Sequence, residues 1–337
     1  MASFMITSIL RLMFFVQLSY SSSSSSHHHG RVIVVSKDGD GDYASISEAI
    51  ARAPRLSGKR IRIEIKAGIY EEYLRIPSDK TNIVLVGSGT QITRITGNRT
   101  TATDQSATLA IYGSGFVAEH LGFVNTAGSD AGPGVAVFNQ ADHSAFYRCS
   151  IEGFQDTLWA VSGRQFYRDC DIYGTVDFIM GDAAALFQNC NLFARPREFV
   201  TFTAQSRSSD SEATGFVFQS CHFTISPKDA DQKSRVVRAT LGRPWRAYSR
   251  VVIMESYIDS LIDPKGWEIM YGTARTDRLS YIEYKNKGPG ARTGDRVKWP
   301  GVRVAADPME VEGFAASAFL DGNAWIPQLR IPYRPGL

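Results

Sequence analysis

Cysteine is scarce in this 337-residue chain: there are four, and no two form a Cys-x-x-Cys pair. That argues against zinc-ribbon and thioredoxin-like sites and leaves Cys149, Cys170, Cys190 and Cys221 as candidates for small buried side chains. No Lys/Arg-rich run occurs, and 37 Lys and Arg against 34 Asp and Glu leave a net charge of only +3. Such a balance tolerates an anionic ligand but lacks the footprint of a nucleic-acid binder. The apolar stretch Phe4 to Leu18 is too short, and with Arg11 inside it too interrupted, to span a bilayer. Followed by Ser19, Tyr20 and the run Ser21 to Ser26, it reads as a secretory leader, although the usual positive charge ahead of it is missing. Residues 1–30, including His27 to His29, are therefore set apart from the fold. In a secreted chain Asn98-Arg99-Thr100 would be a glycosylation acceptor. No Pro/Gly/Ser linker divides residues 31–337, so one domain is expected there, and 43% hydrophobic residues supply its core.

What the chain does have is a repeat between Phe146 and Leu192. Cys149 recurs as Cys170 and Cys190, each followed two places later by Ile151, Ile172 or Leu192. Gly153 recurs as Gly174, and Asp156 as Asp177, seven residues past its own cysteine. A period of about 20 residues built from short β-type runs means stacked coils. The multiple leucines and Asn ladder of a leucine-rich repeat are absent, whereas aromatic and β-branched runs closed by Gly, Asp and Asn fit a parallel β-helix. Parallel strands lie about 4.8 Å apart, which puts Asp156 and Asp177 on adjacent coils about 5 Å apart. Two carboxyls that close do not both ionise freely, so one holds a proton near neutrality while the other stays charged. The plainer reading of the pair is two aspartates capping turns.

Strand signals begin at Val32 to Val35 and recur at Ile61 to Ile65, Asn82 to Gly87, Ile92 to Gly97, Thr108 to Gly113 and Leu121 to Asn125. Beyond the central repeat they continue at Phe216 to Phe223, Val236 to Trp245 and Val251 to Ile258. Ser45 to Ala53 has helical periodicity, with Ser45 as N-cap and Glu48 three places on, and suits a helix capping the open end of the solenoid. Past Gly288 the pattern becomes irregular, predicting a tail packed on the outside or end of the coils.

Beside the aspartates stand groups suited to acyl transfer. Gln155 offers an amide donor to a developing oxyanion. Leu241-Gly242-Arg243-Pro244-Trp245 offers a guanidinium that can hold a carboxylate ionised and an indole that can stack on a sugar. Taken singly, Arg243 is as readily a surface ion pair and Trp245 a core residue.

These motifs carry a resemblance. From about Val32 onward the chain resembles plant pectin methylesterases, in GFQDTLW, GTVDFIMG (Gly174 to Gly181), TAQSR (Thr203 to Arg207), LGRPWRAYSR (Leu241 to Arg250) and RVKWPGVRV. The resemblance implies an all-β, right-handed parallel β-helix and hydrolysis of methyl esters on homogalacturonan (pectin), with no metal and no cofactor. It implies Asp177 as nucleophile, Asp156 as general acid and then base, Gln155 as oxyanion donor and Arg243 as the partner of Asp177. Trp245, Gln205, Phe178 and Pro133 then fall at substrate-contacting positions. It also implies a monomer secreted to the cell wall, with proteinaceous pectinesterase inhibitors as partners and no membrane anchor in the mature form. The chain departs from the family pattern where Pro133 replaces a Gln expected in the oxyanion hole, Met270 replaces the second Trp of GWxxWxG, Met180 replaces Phe and Ser206 replaces Gly. The inhibitor-like pro-region common in the family is not seen. Two rivals share the architecture: a pectin glycosidase or lyase, since paired carboxyls near 5 Å also suit a retaining glycosidase, and a weakly active or inactive pectin-binding wall protein.

Overall fold

The computed structural model describes residues 32–100, 105–270 and 275–337; the leader expected at residues 1–30 lies outside them. The described strands form three parallel sheets of eleven, seven and eight strands, and the chain visits them in turn. This is a right-handed parallel β-helix. Each full turn returns a strand beside its predecessor: Ser144–Tyr147 pairs with Arg164–Arg168, which pairs with Ala184–Gln188, then Gly215–Gln219, then Arg250–Met254.

The register explains the sequence repeat. Ser150, Asp171, Asn191 and His222 are consecutive partners, so the cysteines just before them lie in one file, and all four are buried free thiols. Ile151, Ile172, Leu192 and Phe223 form the next file inward. Phe146, Tyr167, Phe187 and Phe218 stack nearly parallel, with centroids 5.1, 4.6 and 4.6 Å apart. Every such side chain contributes roughly 1.5–3 kcal/mol of burial, and stacking like on like lets each coil template the next. Between the eleven- and eight-stranded sheets one residue per coil takes positive φ: Arg148, Asp169, Asn189, Ser220, Glu255. That left-handed step turns the chain sharply just ahead of the cysteine file. The third interval, Cys190 to Cys221, is longer than 20 residues because the excursion from Ser206 to Thr214 is inserted before the next strand.

The helix Ile46–Arg52 buries Ile46, Ala49 and Ile50, and Ser45 Oγ accepts from the Glu48 N–H at 3.2 Å. Its first two N–H groups go to the Glu72 carboxylate, at 3.0 and 2.8 Å. A carboxylate at a helix N-terminus also complements its dipole. At the other end, Val302–Val304 adds an eleventh strand. Short helical turns then lay Val311, Leu320, Trp325, Ile326 and Ile331 over the outer face of that sheet, against Phe166, Leu186, Val217, Val252 and Ile282. No helix among the described residues is long and apolar enough to cross a membrane.

Candidate active site

The seven-stranded sheet carries the site on its outer face. Leu158 and Ile179 are register partners, so Asp156 and Asp177, two residues before each, occupy equivalent places on adjacent coils. The Asp156 N–H donates to the Val176 carbonyl at 3.1 Å, which ties the two bends together. Both aspartates have left-handed backbone, φ 60° and 52°. Aspartate tolerates that region better than most residues, yet it is a strained choice twice over and aims both carboxyls away from the core.

Arg243 comes from two coils further on and grips Asp177 side-on: Nε donates to Oδ1 at 2.8 Å and Nη2 to Oδ2 at 2.6 Å. Its approach depends on Gly242, where a Cβ would fall 2.0 Å from Thr203 Oγ1. The third guanidinium nitrogen, Nη1, faces Glu268 at 3.9 Å, and Glu268 in turn meets Arg238 at 3.4 Å. Asp177 is 2% exposed and Asp156 8%. Burial, and then the neighbouring charge of Asp177, push Asp156 from an ordinary 3.8 up to about 7, with Arg243 opposing. Burial also raises Asp177, against the hydrogen bonds and charge of Arg243. The pair is thus unequal: Asp177 is held as a carboxylate by its cation, and Asp156 carries a proton close to neutrality.

A cavity of about 230 Å³ opens over Asp156, walled by Trp159, Met180, Ala204, Ser206, Trp245 and Arg246. Of these, Trp245 is 52% exposed. Pro133 bridges to Gln155 on the adjacent coil, and the Gly134 N–H donates to the Gln155 carbonyl at 3.1 Å. Two expected contacts are corrected. Phe178 follows the outward Asp177 and so turns inward; it is fully buried against Phe202, centroids 4.9 Å apart. Gln205 is fully buried as well: its Oε1 accepts from the Arg207 and Arg250 N–H groups at 3.0 and 2.8 Å, and its Nε2 donates to Asp182 at 3.0 Å. It braces the wall instead of facing the cavity. Met270 is half-buried, while Trp267 of the same motif packs on Tyr281 in the core, centroids 4.2 Å apart. Trp159 and Glu268 were not singled out from the sequence. Trp159 lies three places past Asp156, where strand alternation turns it outward beside Met180; Glu268 has no comparable signal.

The family model "Pectinesterase" matches residues 32–323. The chain belongs to the pectinesterase family. It is 46% identical over 312 residues to "Probable pectinesterase/pectinesterase inhibitor 12" of Arabidopsis thaliana, covering 90% of this chain and 57% of that protein, so it spans less than two thirds of that relative. The structure of the pectin methylesterase from carrot superposes with a TM-score of 0.88 at 41% identity, covering 90% of this chain and 98% of that one. A pectin methylesterase solved in complex with a hexasaccharide gives 0.71 at 28% identity, covering 90% and 98%. Pectinesterases so named span the whole coil stack on which the carboxyl pair is built.

Proposed function

We propose that this protein hydrolyses the methyl esters of homogalacturonan and releases methanol. The observation that carries the reading is the unequal carboxyl pair: Asp177 clamped by Arg243 beside an Asp156 that titrates at about 7. An Asp177 oxygen, each of which keeps a lone pair beyond its bond to Arg243, attacks the ester carbonyl carbon. The carbonyl electrons move onto oxygen, where the Gln155 amide can donate. As the tetrahedral adduct collapses, the C–O bond to methoxide breaks and Asp156 gives its proton to form methanol. The resulting acyl-Asp177 is an anhydride. Asp156, now a carboxylate, takes a proton from water as that water attacks the acyl carbon, which frees Asp177 as a carboxylate and leaves a galacturonic acid whose remaining proton passes to solvent. Asp156 ends protonated, as it began.

The relatives reported are named as esterases, which is why we do not adopt a glycosidase or lyase. By the same analogy, the setting we propose is the plant cell wall, reached by secretion, with protein inhibitors of pectinesterase as partners. The test is methanol release from highly methylated homogalacturonan at constant polymer length. Asp177→Asn keeps the shape and removes the nucleophile, so release should fall to background; turnover near that of the unaltered protein would refute the mechanism.

A further inference from the structure

A second cleft of about 460 Å³ lies off the active cavity, where the eight-stranded sheet turns into the seven-stranded one. Its size falls within the range of small-molecule sites. Phe154 lines it, only two residues from Asp156, so about 7 Å of backbone separates the two openings. Aromatic surface comes from Phe154 and from Tyr173, which packs on Phe193 with centroids 4.8 Å apart. The Arg195 guanidinium lies 4.6 Å from the Phe154 ring and 5.8 Å from that of Tyr173. Lys228 and Arg235 rise opposite it from the turn Pro227–Arg235, and both are exposed. Among the described residues the Lys228 ammonium makes no hydrogen bond or salt bridge, though its charge reaches Asp171, and Arg235 donates to the neutral Gln232 at 2.9 Å.

Two carboxylates also line the cleft. Glu152 is already saturated: Arg94 grips both its oxygens at 3.0 and 3.1 Å, Ser150 donates at 2.8 Å, and Arg195 stands at 3.5 Å. Asp229 is opposed by Arg195. Three cations thus line the cleft against two carboxylates, with Asp171 within electrostatic reach of Lys228, and Lys228 and Arg235 are the two cations that solvent reaches. Cations over sugar-sized aromatic faces recognise a carboxylated sugar: the rings take the pyranose face and the cations its carboxylate.

We propose that this cleft is a second binding site for unesterified galacturonate units, separate from the cavity over Asp156. It rests on the pectinesterase reading only for the identity of the uronic acid. Because that reading makes free carboxylates, the cleft would hold chain that has already been processed while the adjacent cavity holds ester.

The test is calorimetric titration of the full chain with unesterified trigalacturonate at low salt. Lys228→Glu combined with Arg235→Glu should weaken binding at this site by at least about tenfold, the order expected for losing charge-assisted contacts. The neutral pair Lys228→Gln with Arg235→Gln should weaken it less, and raised salt should weaken it in the unaltered protein. Trp245→Ala, which alters the wall of the active cavity, should leave the cleft's binding event in place. Affinity unchanged by charge reversal, or loss of all binding in Trp245→Ala, would overturn the proposal, the latter by placing the ligand in the active cavity alone. The esterase reading stands or falls separately: absence of methanol release from the unaltered protein would remove it and leave this titration interpretable.

Discussion

Replacing Asp156 by Asn should make the protein more stable, and only at the pH where the native residue is most strained. In the fold Asp156 titrates at about 7 instead of 3.8, chiefly because it is buried and then because Asp177 faces it. The difference, 7 − 3.8 = 3.2, is worth about 1.36 kcal/mol per pH unit, or roughly 4 kcal/mol. The sign follows from which state holds the proton. Between pH 3.8 and about 7 the folded protein keeps Asp156 protonated while the unfolded chain has released that proton, so stability from this group falls as pH rises. The penalty is absent below about pH 3.8 and complete above about 7. Asn does not titrate, accepts the left-handed φ of 60°, and is nearly isosteric. Urea unfolding of both proteins from pH 4 to pH 8 should therefore give similar stabilities at pH 4 and a gap in favour of Asp156→Asn, approaching roughly 4 kcal/mol, at pH 8. The same variant should lose about 10² to 10⁴ in methanol release, because proton transfer to the leaving group is gone. Parallel stability curves across that range would refute the argument, and so would a variant that is less stable at pH 8. Either result would mean that Asp156 is not held as a strained acid.

Three other outcomes follow from named contacts. Pro133 has neither a side-chain donor nor an N–H, and it sits beside Gln155, so Pro133→Gln should raise kcat on methylated homogalacturonan by up to about 10² to 10³ with little change in KM; an unchanged kcat would mean that the oxyanion is served from elsewhere. Arg296 and Glu283 form a buried pair, each side chain 3% exposed, with Arg296 also holding the Pro264 and Gly290 carbonyls. Arg296→Met should therefore cost about 3–5 kcal/mol in urea unfolding by stranding Glu283. Cys149, Cys170, Cys190 and Cys221 are buried, so thiol reagents should label them slowly in the native protein and fast after unfolding, as a timed mass measurement would report.

Much of this was legible because a solenoid writes its geometry into sequence spacing. Cys149, Cys170 and Cys190 recur at one coil's length, and that alone set Asp156 beside Asp177. The inward or outward sense of a side chain was harder to read. The resemblance placed Phe178 among the substrate-contacting positions, but alternation past an outward aspartate sends it into the core. Gln205 sits at the end of a seven-residue strand, Phe199–Gln205, where the nearby Arg207 N–H and two partners from other coils draw it inward. The two distant partners, Asp182 and Arg250, are brought to it only by coiling. Glu268 and the cleft around Lys228 were invisible for the same reason: they depend on turns, whose lengths follow no repeat.

That division between regular coil and irregular turn also explains where the chemistry sits. A perfectly repeating coil would stack like on like, and at Asp156 and Asp177 it does so with two carboxyls, an arrangement that the aromatic and aliphatic files inside the helix welcome and a pair of charges does not. The next coil breaks the file. The Thr201 N–H bonds the Thr175 carbonyl and the Phe178 N–H bonds the Thr201 carbonyl, so a small neutral threonine lies alongside the bend of Asp177. Beyond it, Gly242 packs so closely on Thr203 that Arg243 can reach back across the intervening coil to Asp177. Had that coil supplied a third acid or a bulky residue, the cation would have had no path. The repeat sets two carboxyls side by side, and the break in the repeat makes them different from each other. Asp177 keeps its charge because Arg243 reaches it, and Asp156, one coil before, takes the proton because it is buried and faces that charge, with Arg243 opposing more weakly.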